Sequence, residues 1–289
     1  MGKIETAMAE ARVKQRQRVL QAIARGETIA NSEVRAVLED KEKEKALAGE
    51  LNFRPVDFQA IRKIKLDSAA LEQHRILPAL QDEAAVAAYK MLRTRIAQRM
   101  RANGWRALAV TSTAPNEGKT LTATNLAISL AGNVDHQVFL VDLDLRRPSL
   151  HKYLGFTPEF NLADYLESDI PLEDVLVSPG IERLWLLPNR RTYHNSSEML
   201  ASPHMAKLVA ELVSNDPNRL IIFDLPPILS ADDLLAFSPY VDAVLLVAAE
   251  GRTRRADLSV AKDLLQNLNV AGVVLNRSSE RKSGHYYPY

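Results

Sequence analysis

Short runs of apolar residues recur through the last two-thirds of this chain, and stretches with helical periodicity separate several of them. The apolar runs cover residues 108–110, 138–141, 184–187, 220–223, 244–247 and 273–275, and the helical stretches include 121–131, 198–212 and 255–268. Strands that are apolar on both faces are typical of a parallel sheet covered by helices on each side. The pattern therefore predicts an α/β fold with a mostly parallel sheet flanked by helices. In such sheets, ligands bind at the carboxyl ends of the strands.

The loop after the first apolar run has the composition of a phosphate-binding loop. Residues 108–111 lead into the segment 112–120, where Gly118, Lys119 and Thr120 open the following helical stretch. In a P-loop, backbone N–H groups and the helix N-terminus hold the phosphates, while the lysine adds charge and the hydroxyl reaches Mg²⁺. A chance Gly-Lys-Thr sequence is the alternative, but the strand before it and the helix after it favour a P-loop NTPase fold.

Glycine is scarce in this chain, at 11 of 289 residues, and the loop reflects this scarcity. Thr113 replaces the first glycine of the Walker A pattern, and Asn116 stands where a second glycine is common. Asparagine tolerates a positive φ angle better than other non-glycine residues do. We therefore expect a variant P-loop in which Asn116 adopts that conformation.

Acidic residues follow two further apolar runs. Asp142 and Asp144 come after residues 138–141, and Asp224 follows residues 220–223 in a Walker B arrangement. Strand alternation places Asp142 and Asp144 on one face, where two carboxylates suit a hydrated Mg²⁺ or accept a proton from an attacking hydroxyl. A turn with helix-capping aspartates is the alternative for this pair. Together with the P-loop, these acids predict a Mg²⁺-dependent nucleoside triphosphatase or kinase.

The loop, the Asp-x-Asp-x-Arg-Arg-Pro segment at 142–148 and the Asp-x-Pro-Pro segment at 224–227 together resemble the bacterial tyrosine kinases of polysaccharide export. These kinases share a superfamily with Min-type and chromosome-partitioning ATPases, which carry a signature lysine where this chain has Ala114. The resemblance covers residues 60–289 and includes the segments 65–78, 197–202 and 272–277. It implies an ATP-dependent protein-tyrosine autokinase that regulates exopolysaccharide or capsule biosynthesis and export. The alternative is a Min- or partitioning-type ATPase that acts as a localisation or assembly module without kinase activity.

The resemblance also implies roles for individual residues, with ATP and Mg²⁺ as the cofactors. Lys119, Asp142 and Asp144 would be catalytic, with either aspartate orienting or deprotonating the acceptor hydroxyl, and Thr120, Asp142 and Asp224 would hold the metal. The nucleotide would contact the loop and the end of the last strand, at Ala114, Pro115, Asn116, Glu117, Gly118, Lys119, Thr120, Leu121, Asn276 and Arg277. For Asn276, a turn residue that ends the strand is the alternative.

Three of the last four residues are tyrosines, namely Tyr286, Tyr287 and Tyr289. The resemblance implies that they are autophosphorylated, by transfer between the subunits of a homo-oligomer. The ten residues from Asn276 to Tyr286 span at most about 36 Å when extended, so this length leaves transfer within one subunit as the alternative. The Glu-x-x-Arg-x-x-Arg helix that builds the family's ring lacks its carboxylate here, because Ala87 precedes Lys90 and Arg93.

The overall charge of +1, from 37 basic and 36 acidic residues, predicts no nucleic-acid binding. Six bases nevertheless lie between Glu83 and Glu117 without an acid among them: Lys90, Arg93, Arg95, Arg99, Arg101 and Arg106. This basic segment is either a solvated helix face or a docking surface for an acidic partner, a neighbouring subunit or lipid headgroups.

The lack of cysteine and of a membrane-spanning segment, together with the resemblance, predicts the cellular location and the partners. The chain has no cysteine and no apolar run near the roughly 18 residues of a spanning helix. We expect a cytoplasmic protein recruited to the inner face of the inner membrane, with only indirect or peripheral membrane contact. The resemblance implies a membrane polysaccharide co-polymerase as the activator. Three parts are expected: a charged helical N-terminal extension (1–60), a P-loop tyrosine kinase domain (61–278) and a flexible tyrosine-containing C-terminal tail (279–289).

Overall fold

The computed structural model describes residues 56–133, 136–168, 170–213 and 218–278. Most of the predicted N-terminal extension and the predicted tail from residue 279 onward lie outside these ranges. The three C-terminal tyrosines at 286, 287 and 289 therefore also lie outside the described residues.

An eight-stranded sheet with helices on both faces forms the described part of the chain. The strands are β1 (Arg62–Lys63), β2 (Ala107–Ser112), β3 (Gln137–Asp142), β4 (Val177–Ser178), β5 (Leu184–Leu187), β6 (Arg219–Asp224), β7 (Ala243–Ala249) and β8 (Val270–Asn276). The helices are α1 (Ser68–Gln73), α2 (Glu83–Asn103), α3 (Lys119–Ala131), α4 (Leu150–Leu154), α5 (Leu162–Glu167), α6 (Leu172–Val175), α7 (Ser196–Leu200), α8 (Pro203–Val213), α9 (Asp233–Phe237) and α10 (Arg255–Leu264). Short 3₁₀ turns lie at Leu77–Ala79 and Ser238–Tyr240.

The strand order is β1-β4-β5-β3-β6-β2-β7-β8, and the pairs are parallel except for the antiparallel pair of β4 and β5. Side chains alternate between two apolar clusters on the opposite faces of the sheet. In β6, for example, Ile221 and Phe223 join one cluster, while Leu220 and Ile222 join the other. This burial on both faces explains the continuous apolar runs and confirms the predicted mostly parallel α/β fold.

All six predicted strands are present, but one predicted helix is wrong. The stretch 198–212 forms two helices, α7 and α8, because the chain turns at residues 201–202 and restarts at Pro203. Proline lacks a backbone N–H and suits the first turn of a helix. The helix predicted over 255–268 ends earlier, at Leu264.

Five of the six bases of the basic segment lie on α2, which is compatible with both a solvated helix face and a docking surface. Asp82 caps the start of α2 by accepting the backbone N–H groups of Ala84 and Ala85, and Gly104 ends it with a φ of 66°. The Arg99 guanidinium donates to the Ala271 carbonyl oxygen and ties α2 to the edge strand β8. Within the described ranges, no helix has the length and apolar character needed to span a bilayer.

The strand order places the polar residues of interest side by side. β2 lies between β6 and β7, and β6 lies between β2 and β3. Because these strands are parallel, the loop after β2 meets the carboxyl ends of β3 and β6, which are Asp142 and Asp224. The carboxyl ends of these three interior strands therefore bring all three predicted motifs together.

Candidate functional site

The loop between β2 and α3 has the backbone conformation expected of a variant P-loop. Asn116 has a φ of 63°, which confirms the conformation predicted for it. Gly118 has a φ of 97°, and a Cβ atom there would lie 2.0 Å from the Asn276 Nδ2 atom. Asn276 Nδ2 instead donates to the Glu117 carbonyl oxygen at 2.8 Å. Glycine is thus required at 118 both by the backbone angle and by the approach of Asn276.

Glu117 braces this loop from within. Its buried carboxylate accepts the backbone N–H groups of Thr113 and Ala114, at 2.8 and 2.9 Å, and the Thr113 hydroxyl at 2.8 Å. The Thr253 hydroxyl, from the loop after β7, donates to the other carboxylate oxygen at 2.5 Å. The residue that replaces the usual glycine, Thr113, is therefore held by a side-chain hydrogen bond that glycine could not make.

Two arginines border the loop on its exposed side. Arg252 donates to the Asn116 carbonyl oxygen at 3.2 Å, and Arg277 donates to the same oxygen at 3.0 Å. Arg277 follows Asn276, whose Oδ1 atom accepts the Arg277 backbone N–H at 2.8 Å. The end of β8 therefore touches the loop, and Asn276 also ends the strand as a turn residue, whereas the nucleotide contact expected of these two residues stays a prediction. Sequence reasoning missed Thr253 and Arg252.

Lys119 lies between two carboxylates. Its Nζ atom is 2.7 Å from Asp144 Oδ2 and 3.3 Å from Asp224 Oδ1. Burial by itself would lower the pKa of Lys119, but the charges of Asp224 and Asp144 outweigh that effect and raise it. The ammonium group is therefore fixed in its charged form beside the P-loop.

Thr120 and Asp224 form the closest polar pair at the end of β6. The Thr120 hydroxyl donates to Asp224 Oδ2 at 2.6 Å, and the Ser149 hydroxyl lies 3.2 Å from the same hydroxyl oxygen. Burial raises the pKa of Asp224, although Lys119 and Thr120 oppose this shift. The pair places a hydroxyl and a carboxylate next to the helix N-terminus that would receive phosphate.

Asp142 faces Asp224 across paired strands and also caps α4. Its carboxylate accepts the backbone N–H groups of Ser149 and Leu150, both at 3.0 Å. Burial, with the nearby charge of Asp224, raises the pKa of Asp142 to about 8, although the Leu150 N–H favours the ionised form. The helix-capping interpretation is thus correct for Asp142, which nevertheless stays in the site.

Asp144 reaches the site by a turn rather than by strand alternation. β3 ends at Asp142, and both neighbours of Asp144, Leu143 and Leu145, are buried. The Arg147 backbone N–H donates to Asp144 Oδ1 at 2.9 Å, which leaves Oδ2 to contact Lys119. The two aspartates therefore differ in environment despite their close spacing.

The remaining predicted residues frame the loop. Pro115 is exposed at its tip, whereas Leu121 packs partly buried against an apolar cluster in the first turn of α3. The backbone N–H of Ala114 is used by Glu117. All the predicted nucleotide and metal residues thus lie at one end of the sheet, while the three tyrosines are outside the described chain.

The oxygen atoms of Thr120, Asp142 and Asp224 fit Mg²⁺, which prefers a few carboxylates together with phosphate oxygens and water. In the residues that the structure describes, no group of three or more histidine or acidic side chains is arranged to hold a metal by itself. A metal here would therefore depend on phosphate ligands, as in other P-loop sites.

Comparisons with known proteins agree with this geometry. The family model described as "CobQ/CobB/MinD/ParA nucleotide binding domain" matches residues 108–287. Tyrosine-protein kinase YwqD of Bacillus subtilis is 28% identical over 203 residues, which cover 70% of this chain and 84% of that protein. Succinoglycan biosynthesis transport protein ExoP of Rhizobium meliloti is 30% identical over 189 residues, covering 63% of this chain and 23% of that protein. The solved kinase domain of the Escherichia coli tyrosine kinase ETK is 30% identical, with a TM-score of 0.63, and the match covers 73% of this chain and 84% of that one.

The sheet, the loop and the acidic strand ends define a P-loop nucleotide-binding protein. The chain belongs to the CobQ/CobB/MinD/ParA nucleotide binding domain family and, within it, to the bacterial tyrosine-protein kinases. It spans less than a third of the length of several curated relatives.

Proposed function

We propose that this chain is an ATP- and Mg²⁺-dependent protein-tyrosine autokinase whose acceptors are Tyr286, Tyr287 and Tyr289. The observation that carries the proposal is Lys119, held between Asp144 and Asp224 at the mouth of the P-loop. Phosphoryl transfer depends mainly on positioning and on positive charge near the transferred group, and this arrangement supplies both. The names of the matched relatives favour tyrosine as the acceptor.

Nucleotide binding would use the loop and its borders. The backbone N–H groups at the start of α3 and the Lys119 ammonium would hold the phosphates of ATP. Asn276 and Arg277 would contact the base from the end of β8. Mg²⁺, when bound at Thr120, Asp142 and Asp224, would neutralise the charge that develops on the phosphates.

Asp144 is the better candidate for orienting the tyrosine hydroxyl and receiving its proton. The Asp142 carboxylate already accepts N–H groups from Asp144, Ser149 and Leu150. Asp144 Oδ2, in contrast, is bound to Lys119, whose ammonium group has phosphate as a competing partner once ATP is present. That exchange would free one carboxylate oxygen next to the transferred phosphoryl group.

The wider role and the domain division remain part of the proposal. The relative named as a succinoglycan biosynthesis transport protein supports regulation of exopolysaccharide or capsule production and export. A membrane polysaccharide co-polymerase would activate a homo-oligomer of this chain at the inner face of the inner membrane, with indirect or peripheral membrane contact. The kinase domain would occupy 61–278, between the 1–60 extension and the 279–289 acceptor tail.

The test is incubation of the full chain with Mg-ATP, alone and with a membrane fraction from its host, followed by mass spectrometry of the C-terminal peptide. We expect phosphate on the terminal tyrosines, and none in the Lys119→Met variant. A chain with Tyr286, Tyr287 and Tyr289 all changed to Phe is the matched control, which should still bind nucleotide. Turnover of ATP without any phosphotyrosine would instead favour the Min- or partitioning-type ATPase.

A further inference from the structure

Arg146 connects the turn that carries Asp144 to two elements elsewhere in the sequence. Its Nε atom donates to Ser196 Oγ at 2.9 Å and lies 3.3 Å from Asp233 Oδ1. Ser196 begins α7 and Asp233 begins α9, and these two helices pack against each other. Arg146 therefore fixes its turn to a packed helix pair through contacts 50 and 87 residues away.

Asp233 is an unusual residue to find at such a contact. Its side chain is 0% exposed, and its Oδ2 atom has no hydrogen-bond partner in the described part of the chain. A buried carboxylate with one unmatched oxygen contributes little to stability, because desolvation offsets the attraction to its partner. A positioning role explains Asp233 better than a stabilising one, because its carboxylate pairs with the half-exposed guanidinium of Arg146.

The turn has other anchors as well: Leu143 and Leu145 are fully buried in the core, and the Leu143 backbone N–H donates to the Asp224 carbonyl oxygen at 2.9 Å. The Tyr193 backbone N–H donates to the Leu145 carbonyl oxygen at 2.8 Å, and the Arg147 N–H caps Asp144 within the turn. Arg146 adds a hydrogen bond to α7 and an ion pair with α9, two residues from the carboxylate that contacts Lys119.

We propose that Asp233 and Ser196 are positioning residues: by holding Arg146, they fix the turn that carries Asp144. Asp144 then contacts Lys119 before ATP binds and lies beside the transferred phosphoryl group once the phosphates take that lysine. The inference rests on the proposed kinase function for its consequence on rate. Its structural content, the distance between Asp144 Oδ2 and Lys119 Nζ, stands apart from that function. Misplacement of a reacting group by about 1 Å is worth about 100-fold in rate.

The test uses the full chain and five variants: Arg146→Ala, Asp233→Ala, Asp233→Asn, the double variant Arg146→Ala/Asp233→Asn, and the control Arg62→Ala. Arg62 pairs with Glu159 at 2.5 Å on the surface, so its loss removes an arginine ion pair elsewhere. For each variant, kcat and the KM for ATP are measured for phosphorylation of a tyrosine peptide, together with Tm.

Arg146→Ala and Asp233→Ala should each lower kcat about 10- to 100-fold with the KM for ATP nearly unchanged. Asp233→Asn keeps an acceptor for Arg146 and should restore most of the activity. Arg146→Ala also leaves Asp233 buried without its cation and should lower Tm, whereas the double variant should regain Tm but not kcat. Recovery of kcat along with Tm in the double variant would show a purely structural role and overturn the inference.

A crystal structure of the double variant tests the inference without reference to activity. The contact between Asp144 Oδ2 and Lys119 Nζ, 2.7 Å in the native chain, should be lost. An unchanged contact overturns the inference even if the kinase assay is positive. A wild-type chain that fails to phosphorylate any tyrosine contradicts the proposed function instead, and the crystal structure still decides this inference.

Discussion

Glu117 and Asp142 are both buried carboxylates beside the phosphate loop, but their surroundings differ. Glu117 accepts hydrogen bonds from neutral donors only, the backbone and hydroxyl groups of Thr113, Ala114 and Thr253. Asp142 also accepts backbone N–H groups, yet it faces a second buried acid, Asp224, across paired strands.

Glu117 thus belongs to the part of the site that maintains the loop conformation, whereas Asp142 and Asp224 belong to the part whose charges depend on what is bound. A buried carboxylate surrounded by matched neutral donors stabilises a loop conformation. Two buried carboxylates close together disfavour each other's charge, and an added cation relieves that conflict. The loop brace therefore needs no ligand to be stable, whereas the acidic strand ends would gain stability from a bound cation. Substitutions at four positions test this division, from the largest expected effect to the smallest.

Replacing Glu117 by Ala should cause the largest loss of stability. Two backbone N–H groups and two hydroxyls, two of these hydrogen bonds fully buried and two half-buried, would lose their acceptor at a cost of about 3 kcal/mol. Chemical denaturation measures the loss, and nucleotide affinity should fall with it. Glu182→Ala, which removes an exposed glutamate paired with its neighbour Arg183, should change the free energy of unfolding by less than about 0.5 kcal/mol. Equal effects of the two substitutions would contradict the role of the brace.

Gly118→Ala should cost about 2 kcal/mol and weaken ATP binding strongly. The new Cβ would displace Asn276, and the φ of 97° is strained for any other residue. Gly180→Ala is the matched control, because Gly180 has a φ of 76° but no atom within 4 Å of the added Cβ. Calorimetric titration with an ATP analogue should show normal affinity for the control alone.

Asp142→Asn should remove a pH dependence from the metal-free and nucleotide-free protein. The folded-state pKa of Asp142, about 8, exceeds the unfolded value of about 3.9, so the folded chain retains a proton that the unfolded chain loses. The free energy of unfolding should therefore fall as the pH rises between these values.

Denaturation at pH 5 and pH 8 in a chelator checks this prediction. The wild type should be less stable at pH 8, and Asp142→Asn should be more stable there by about 1–2 kcal/mol while losing phosphoryl transfer. A wild type with the same stability at both pH values would mean that the two strand-end acids do not conflict. Asp142 would then not differ from Glu117 in the electrostatic effect of its surroundings.

Asn116→Gly should have the smallest effect, within about 0.5 kcal/mol, because glycine also adopts a φ near 63°. Asn116→Ala should cost about 1 kcal/mol, since alanine lacks a side chain that stabilises this conformation. Denaturation curves for the two variants give their free energies of unfolding, and the difference between them reports how well each residue adopts the positive φ angle. A large loss with glycine would show that the Asn116 side chain itself is needed.

Features that depend on residues close together in the sequence could be predicted from it. Apolar runs fixed the positions of the six long strands, and the Gly-Lys-Thr segment located the start of α3. The parallel arrangement brought Asp142 and Asp224 together as expected. Each of these features depends on local pattern combined with one general rule of sheet topology.

The rest depends on contacts between distant parts of the chain. Thr253 braces Glu117 from 136 residues away, and its position in the sequence carries no sign of that contact. Arg146, in the turn that carries Asp144, contacts Asp233 at the start of a helix 87 residues away. The break before Pro203 was visible in the sequence, because proline within a helical pattern is a stop signal.

The sheet order also sets how the two ends of the described chain lie relative to the phosphate loop. Residue 278, the last one described, follows the edge strand β8, whose final residue Asn276 donates to the loop. At the other end, Phe58 packs against Phe139 of β3 and Trp185 of β5, in the interior of the sheet. A label attached directly after Arg277 would therefore report on the phosphate loop, whereas a label at Phe58 would report on the apolar core.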